Sequence, residues 1–124
     1  MIQTITPIDN TIYIERDYNS KLIEDTLSNS VIAQNEWAKL PVNERVILLQ
    51  NFVSDFLSKE SQIIEEITRQ MGRPISQAIS ELKGFKERAD YMLSIAENKL
   101  QNIYLPEKEN FKNFIKRIPM GVSF

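Results

Sequence analysis

Between residues 20 and 100, apolar side chains return every three or four positions in four successive runs, the spacing of one face of an α-helix. The first run starts at Asn19 or Ser20, either a competent N-cap, and carries Ile23, Leu27, Val31, Trp37 and Ala38 on one half of the helical wheel to about Leu40. Pro41 ends that helix and suits the first turn of the next, where Val46, Leu49, Val53, Phe56 and Leu57 form the clearest amphipathic stripe. A third helix carries Ile63, Ile64, Ile67 and Met71. It is closed by Gly72, placed for a left-handed cap, with Pro74 two residues on. The fourth runs from Ile75 through Leu82, Phe85, Ala89 and Met92 to about Leu100, roughly 26 residues or about 39 Å of helix. Gly84 in its middle costs ~1 kcal/mol relative to alanine, which fits either a neighbouring backbone passing close by or an ordinary tolerated glycine.

The flanks read differently. Pro7-Ile8-Asp9-Asn10 is a turn signal, and Thr11-Ile12-Tyr13-Ile14-Glu15-Arg16 behind it is a short β-branched and aromatic run, which predicts a strand. After Pro106 the pattern supports two structures. Phe111, Phe114, Ile115 and Ile118 match helical spacing with Lys108, Lys112, Lys116 and Arg117 among them, a basic amphipathic helix of the kind that lies on anionic membranes. Asn113, the short length and Pro119 weaken that picture, and the Phe-Ile pair fits a strand as well.

Composition narrows the chemistry more than the fold. The 124 residues have a formal net charge of -2 at pH 7, and a complete domain of that length would bury roughly two thirds of its unfolded surface. Without cysteine or histidine, the chain has no disulfide, thiolate nucleophile, cysteine-held metal or imidazole base. The redox compartment is left open. Met1 to Pro7 carry no positively charged leader region, and no apolar run approaches the ~18 residues of a membrane span, so the expected location is the cytoplasm. The near-neutral charge balance offers no nucleic-acid footprint.

Individual residues invite functional readings that their surroundings temper. Glu60, Glu65 and Glu66 resemble an acid pair or metal set, yet adjacent helical residues diverge in direction, so they read as an exposed face without a role. Trp37, Tyr91 and Tyr104 read as core or interface packing before ligand contacts. Lys39 and Arg45 read as solvated charges rather than phosphate contacts.

Thr68-Arg69-Gln70-Met71-Gly72-Arg73-Pro74 with Glu81, then Arg117-Ile118-Pro119-Met120-Gly121-Val122, follow the opening Thr6-Pro7-Ile8-Asp9-Asn10 turn. Ala33-Gln34 with Trp37, Leu40-Pro41 with Glu44-Arg45, and Phe52-Val53 lie between them. In this order the set resembles the N-terminal portion of an NAD(P)-dependent aldehyde dehydrogenase. Gly-Arg-Pro is similar to that family's Gly-Lys/Arg-Pro between two helices, and Pro-Met-Gly-Val to its Pro-Leu/Val-Gly-Val. The resemblance runs from about Thr6 to Phe124 and covers the first quarter or so of a family member.

The resemblance implies a mainly α fold with short β-strands, the N-terminal part of the aldehyde dehydrogenase α/β fold. It implies one incomplete unit: a strand and turn region at 6–18, four helices at 20–100, a strand segment of the oligomerisation sheet at 101–118, and at 119–124 the lead into a cofactor-binding domain. The strand alternative for Phe111 to Ile118 is thereby chosen. The Ile12 to Arg16 strand and the helices would lie against that further domain. Glu81 falls near a position where family members often carry an acidic residue, sometimes close to a monovalent cation, although an ion-paired or solvated helix carboxylate is the expectation here.

In the family a thiolate attacks the aldehyde carbon, hydride passes to the nicotinamide and the thioester is hydrolysed. The nucleophile, the glutamate base, the phosphate-binding glycines and a Pro-Trp-Asn strand all lie further along a family member. Accordingly we expect no catalytic, cofactor-binding or metal residue among these 124 and no activity from them alone. NAD or NADP is implied only for the complete enzyme. The expected partner is the remainder of the dehydrogenase as a separate polypeptide, or a second copy, with no nucleic acid or membrane. The chain ends within the apolar run Pro119 to Phe124, which reads as a truncation. The alternative is a stand-alone helical protein-interaction module.

Overall fold

A computed structural model describes residues 1–17, 19–107, 109 and 111–123. Tyr18, Lys108, Asn110 and Phe124, which belong to the expected N-terminal, basic and C-terminal segments, lie outside the described residues. The chain runs β1 (Ile2–Ile5), β2 (Ile12–Arg16), α1 (Ser20–Lys39), α2 (Val42–Leu57), α3 (Glu60–Met71), α4 (Ile75–Lys99), β3 (Ile103–Tyr104) and β4 (Phe114–Ile115). It is mainly helical with short strands, in accord with the sequence.

The strand at Ile12–Arg16 is half of an antiparallel hairpin whose other half, β1, the turn signal alone did not predict. Ile2 pairs with Arg16 and Thr4 with Ile14, and a register shift follows between Thr4 and Ile5. The turn is held locally. Asn10 N–H donates to the Thr6 carbonyl at 3.0 Å, Thr6 N–H to the Thr11 carbonyl at 3.0 Å, and Asn10 adopts φ 62°. The Asp9 carboxylate accepts the Thr11 hydroxyl at 2.7 Å and its N–H at 3.0 Å. Those two bonds hold the Asp9 carboxyl below its ordinary value, the hydroxyl contributing most.

The helix boundaries follow the signals in the sequence. Asn19 caps α1, its side-chain oxygen accepting Leu22 N–H at 3.0 Å, and Pro41 separates α1 from α2. Gly72 closes α3 at φ 69°, ψ 16°, donating its N–H to the Thr68 carbonyl at 2.9 Å. α4 is the long helix, 25 residues ending at Lys99. Of the two readings of Gly84 the tolerated glycine fits, because a Cβ built on it would meet nothing within 4 Å, and no neighbour among the described residues requires a glycine there.

The core is small and lies where α2 and α3 meet α4. Val53 of α2 and Ala78 and Leu82 of α4 are its buried hydrophobic residues among those described. Beside them the Phe56 and Phe85 rings pack 4.9 Å apart, and Phe52 stacks 5.9 Å from Phe56. α1 contributes no buried residue.

At the far end, β3 and β4 pair antiparallel, Ile103 opposite Ile115 and Tyr104 opposite Phe114, with those two rings 5.8 Å apart. The predicted strand over Phe111 to Ile118 is therefore real but short, and the basic amphipathic helix does not form among its described residues. Lys116, Arg117 and Ile118 lead from Ile115 to Pro119, and Ile118, the residue before the proline, is held away from helical geometry.

The accessible surface totals 10424 Å². A compact monomer of this size exposes about 6,900 Å². Much apolar side-chain area on the helices is thus without cover.

Candidate functional site

The residues that sequence alone makes chemically interesting gather around α3 and its junction with α4. Arg73, in the short link between the helices, forms an ion pair with Glu81, two turns into α4. Both side chains are about half exposed, so the pair fixes the local geometry more than it stabilises, at roughly 0–1 kcal/mol. Glu81 is thereby the ion-paired form of the solvated or ion-paired helix carboxylate expected of it.

Glu66 departs from the exposed, roleless face expected for Glu60, Glu65 and Glu66. It accepts the Tyr13 hydroxyl at 2.9 Å and the Gln70 side-chain amide at 2.7 Å, joining the N-terminal hairpin to α3 across 53 residues of sequence. The Gln70 bond, then the Tyr13 bond, hold its carboxyl below the usual glutamate value. The same contact with Glu66 raises the Tyr13 phenol. Arg69 lies 5.6 Å above the Tyr13 ring and donates from Nε to Glu65 at 2.9 Å, so Glu65 is paired as well. Glu60 remains in the first turn of α3, where it faces the positive end of the helix dipole. The hairpin contact was invisible to sequence because it depends on β1, which sets the hairpin's position.

The other weighed residues disperse. Lys39 pairs with Glu36 at 2.6 Å, in solvent as expected. Trp37 is half-buried, Tyr104 stacks on Phe114, and Tyr91 stands exposed at 63% on α4, so only part of the expected aromatic packing is made within this chain. Arg45 is not the solvated charge expected of it: the side chain is half-buried, and its Nε has no hydrogen-bond partner.

Concave surface is shallow and apolar. The largest groove, 580 Å³, runs between the hairpin turn and the start of α4, lined by Ile8, Ile64, Thr68, Ile75 and Ile79 with the Glu65–Arg69 pair at its edge. Thr68 Oγ1 is buried there without a partner. A second groove of 430 Å³ lies along α3 between Phe56 and Met71. Among the described residues no three His, Cys, Asp or Glu side chains group to hold a metal. Nor is any helix among them long and apolar enough to cross a membrane.

This architecture has clear counterparts. The sequence model of the aldehyde dehydrogenase family matches residues 1–124. The chain belongs to that family. A curated relative, the 3,6-anhydro-alpha-L-galactose dehydrogenase of Vibrio sp. strain EJY3, is 24% identical over 121 residues, 97% of this chain and 25% of the relative. Among solved structures, the succinic semialdehyde dehydrogenase of Streptococcus pyogenes, in complex with NADP+ as cofactor, superposes at TM-score 0.75 with 23% identity. The alignment covers 90% of this chain and 25% of that one. A 3,6-anhydro-L-galactose dehydrogenase superposes at TM-score 0.74 with 19% identity, covering 90% and 24%. At these identities the superpositions establish the fold. The chain spans about a quarter of the length of the aldehyde dehydrogenases it matches.

The chain's three glycines, Gly72, Gly84 and Gly121, lie far apart and form no phosphate-cradling loop.

Proposed function

We propose that these residues are the N-terminal helical portion of an NAD(P)-dependent aldehyde-oxidising enzyme of the cytoplasm, and that by themselves they catalyse nothing. The observation that carries the reading is the family match over the whole sequence combined with coverage of only a quarter of its relatives. The chemistry agrees. Oxidation of an aldehyde through a thioester needs a thiolate, and these 124 residues contain no cysteine. The contribution of this portion is structural: α2, α3 and α4 form a packed unit whose outer faces stay apolar and uncovered, ready for the rest of the fold. That uncovered surface is also what favours a second reading, a stand-alone helical module that binds another protein through the same faces.

The test is NAD- and NADP-dependent oxidation of a panel of aldehydes by the purified chain, with and without the polypeptide encoded immediately downstream. Activity only in the mixture supports the proposal. Activity from the chain alone overturns it. Capture of a different folded protein in place of the downstream one, with no activity in the mixture, favours the interaction module.

A further inference from the structure

Arg45 lies one turn into α2, and its guanidinium is permanently charged. The side chain is half-buried, and Nε is closed to water yet donates to no acceptor. The ion pairs among the described residues employ Lys39, Arg69, Arg73 and Lys86, so Arg45 has no carboxylate partner there, and neither has Arg117. These two unpaired guanidinium groups share one pocket, a space of 240 Å³ whose other walls are Leu100, Ile118, Pro119 and Met120. Holding the Arg45 guanidinium half-buried without an acceptor is unfavourable, and an anion in the shared pocket offsets that cost.

The start of α2 adds to the positive field. Its N-cap is Pro41, which provides no side-chain acceptor for the first N–H groups, and the partial positive charge of a 16-residue helix is concentrated at that end. Glu44 is the neighbouring acidic residue. It is exposed, forms no ion pair among the described residues, and as the preceding helical residue projects about 100° around the axis from Arg45. Lys116, next to Arg117, strengthens the field further.

We propose that this pocket is an oxyanion site, in which the planar forks of Arg45 and Arg117 hold one phosphate or carboxylate group. Guanidinium matches both anions in two-point geometry. Such an anion would accept from the outer nitrogens of the two guanidinium groups and bridge α2 to the segment leading to Gly121. It reaches the pocket as a free ion or as an acidic side chain of a bound polypeptide.

The test uses the full 124-residue chain, following arginine Nε–H and backbone amide resonances while sodium phosphate, sodium succinate or sodium chloride is added at constant ionic strength. Saturable shifts of Arg45, Arg117, Leu100 and Met120 with phosphate support a free-ion site. The same shifts with succinate but not phosphate support a site for a protein carboxylate. Arg117→Gln, at an exposed position that folding tolerates, is expected to weaken the saturable binding by about tenfold or more. Arg45→Lys keeps the charge but not the fork, and is expected to weaken it as well. No saturable shift with either anion, or equal shifts with chloride, overturns the proposal, as does unchanged affinity in both variants.

Discussion

Gly72→Ala tests how the N-terminal hairpin is anchored to the helices. Two separate costs meet at this position. The backbone is left-handed, φ 69° and ψ 16°, and an L side chain in that region costs roughly 1–2 kcal/mol. A Cβ there would also lie 2.7 Å from Pro7 Cγ and 3.4 Å from Pro7 Cβ. The proline ring cannot swing aside as a flexible chain would, so it must carry the hairpin turn with it, an overpacking strain of about 1–3 kcal/mol. Together these predict a loss of roughly 2–5 kcal/mol, read from urea midpoints by circular dichroism.

The two costs separate in a double-mutant cycle. Pro7→Ala removes Cγ and leaves only the 3.4 Å contact, so Gly72→Ala in that background should lose only the backbone term. Gly72→Asn, which tolerates the left-handed region but still bears a Cβ, should show the clash with little backbone cost. The reasoning is refuted if Gly72→Ala destabilises equally with and without Pro7, or by less than about 0.5 kcal/mol, within surface-mutation noise.

Three other outcomes follow from the same structure. Gly84→Ala, with open space around the added methyl, should raise the stability of the chain by about 1 kcal/mol, whereas a loss on thermal unfolding would mean that a neighbour does approach. The lowered pKa of Glu66 gives stability that is present above its unfolded pKa and is lost as pH falls through the folded one. The gap in urea midpoint between parent and Glu66→Gln should therefore shrink as the pH drops below the ordinary glutamate range, and a constant gap argues against the Tyr13 and Gln70 contacts. Ile47→Lys with Phe52→Glu, at α2 positions 54% and 55% exposed, should reduce concentration-dependent association in sedimentation while leaving the helical circular dichroism intact.

Local signals carried the helices, because each end is set by chemistry within a few residues: Asn19 capping Leu22 N–H, Pro41 between α1 and α2, Gly72 in the left-handed region before Pro74. The pairings were not local. β1 is four residues long and gains its meaning only from lying opposite β2, and Glu66 becomes a tie only once the hairpin brings Tyr13 to it. Arg45 reads in sequence as one more surface cation, because the pocket that it lines with Leu100 and Pro119 is formed with residues more than 50 positions away. Gly84 stayed open in sequence for the converse reason: the helical cost of glycine is a local fact, while the neighbour that would justify it is a tertiary one.

The decisive feature is that α2 is apolar on two sides. Its inward stripe, with Val53 at the centre and Phe56 against Phe85, packs on α4. Beyond it stand Ile47 and Leu48, each about half exposed, Ile47 half a turn round the axis from Phe56, with Phe52 at the edge of the inward stripe against Phe56. A helix at the surface of a finished domain needs one apolar stripe, and a second implies cover on the far side. α1 makes the same point, with Leu22, Val31 and Ile32 more than half exposed and no buried residue of its own. The surface beyond that of a compact monomer, about 3,500 Å², is several times the roughly 800 Å² that one partner contributes to an ordinary interface. Area on that scale is the mark of a core divided in two rather than of a recognition patch. For that reason the portion-of-an-enzyme reading stands ahead of the interaction module: a binding module gains nothing from apolar faces on opposite sides of its helices, whereas one layer of a larger fold requires them.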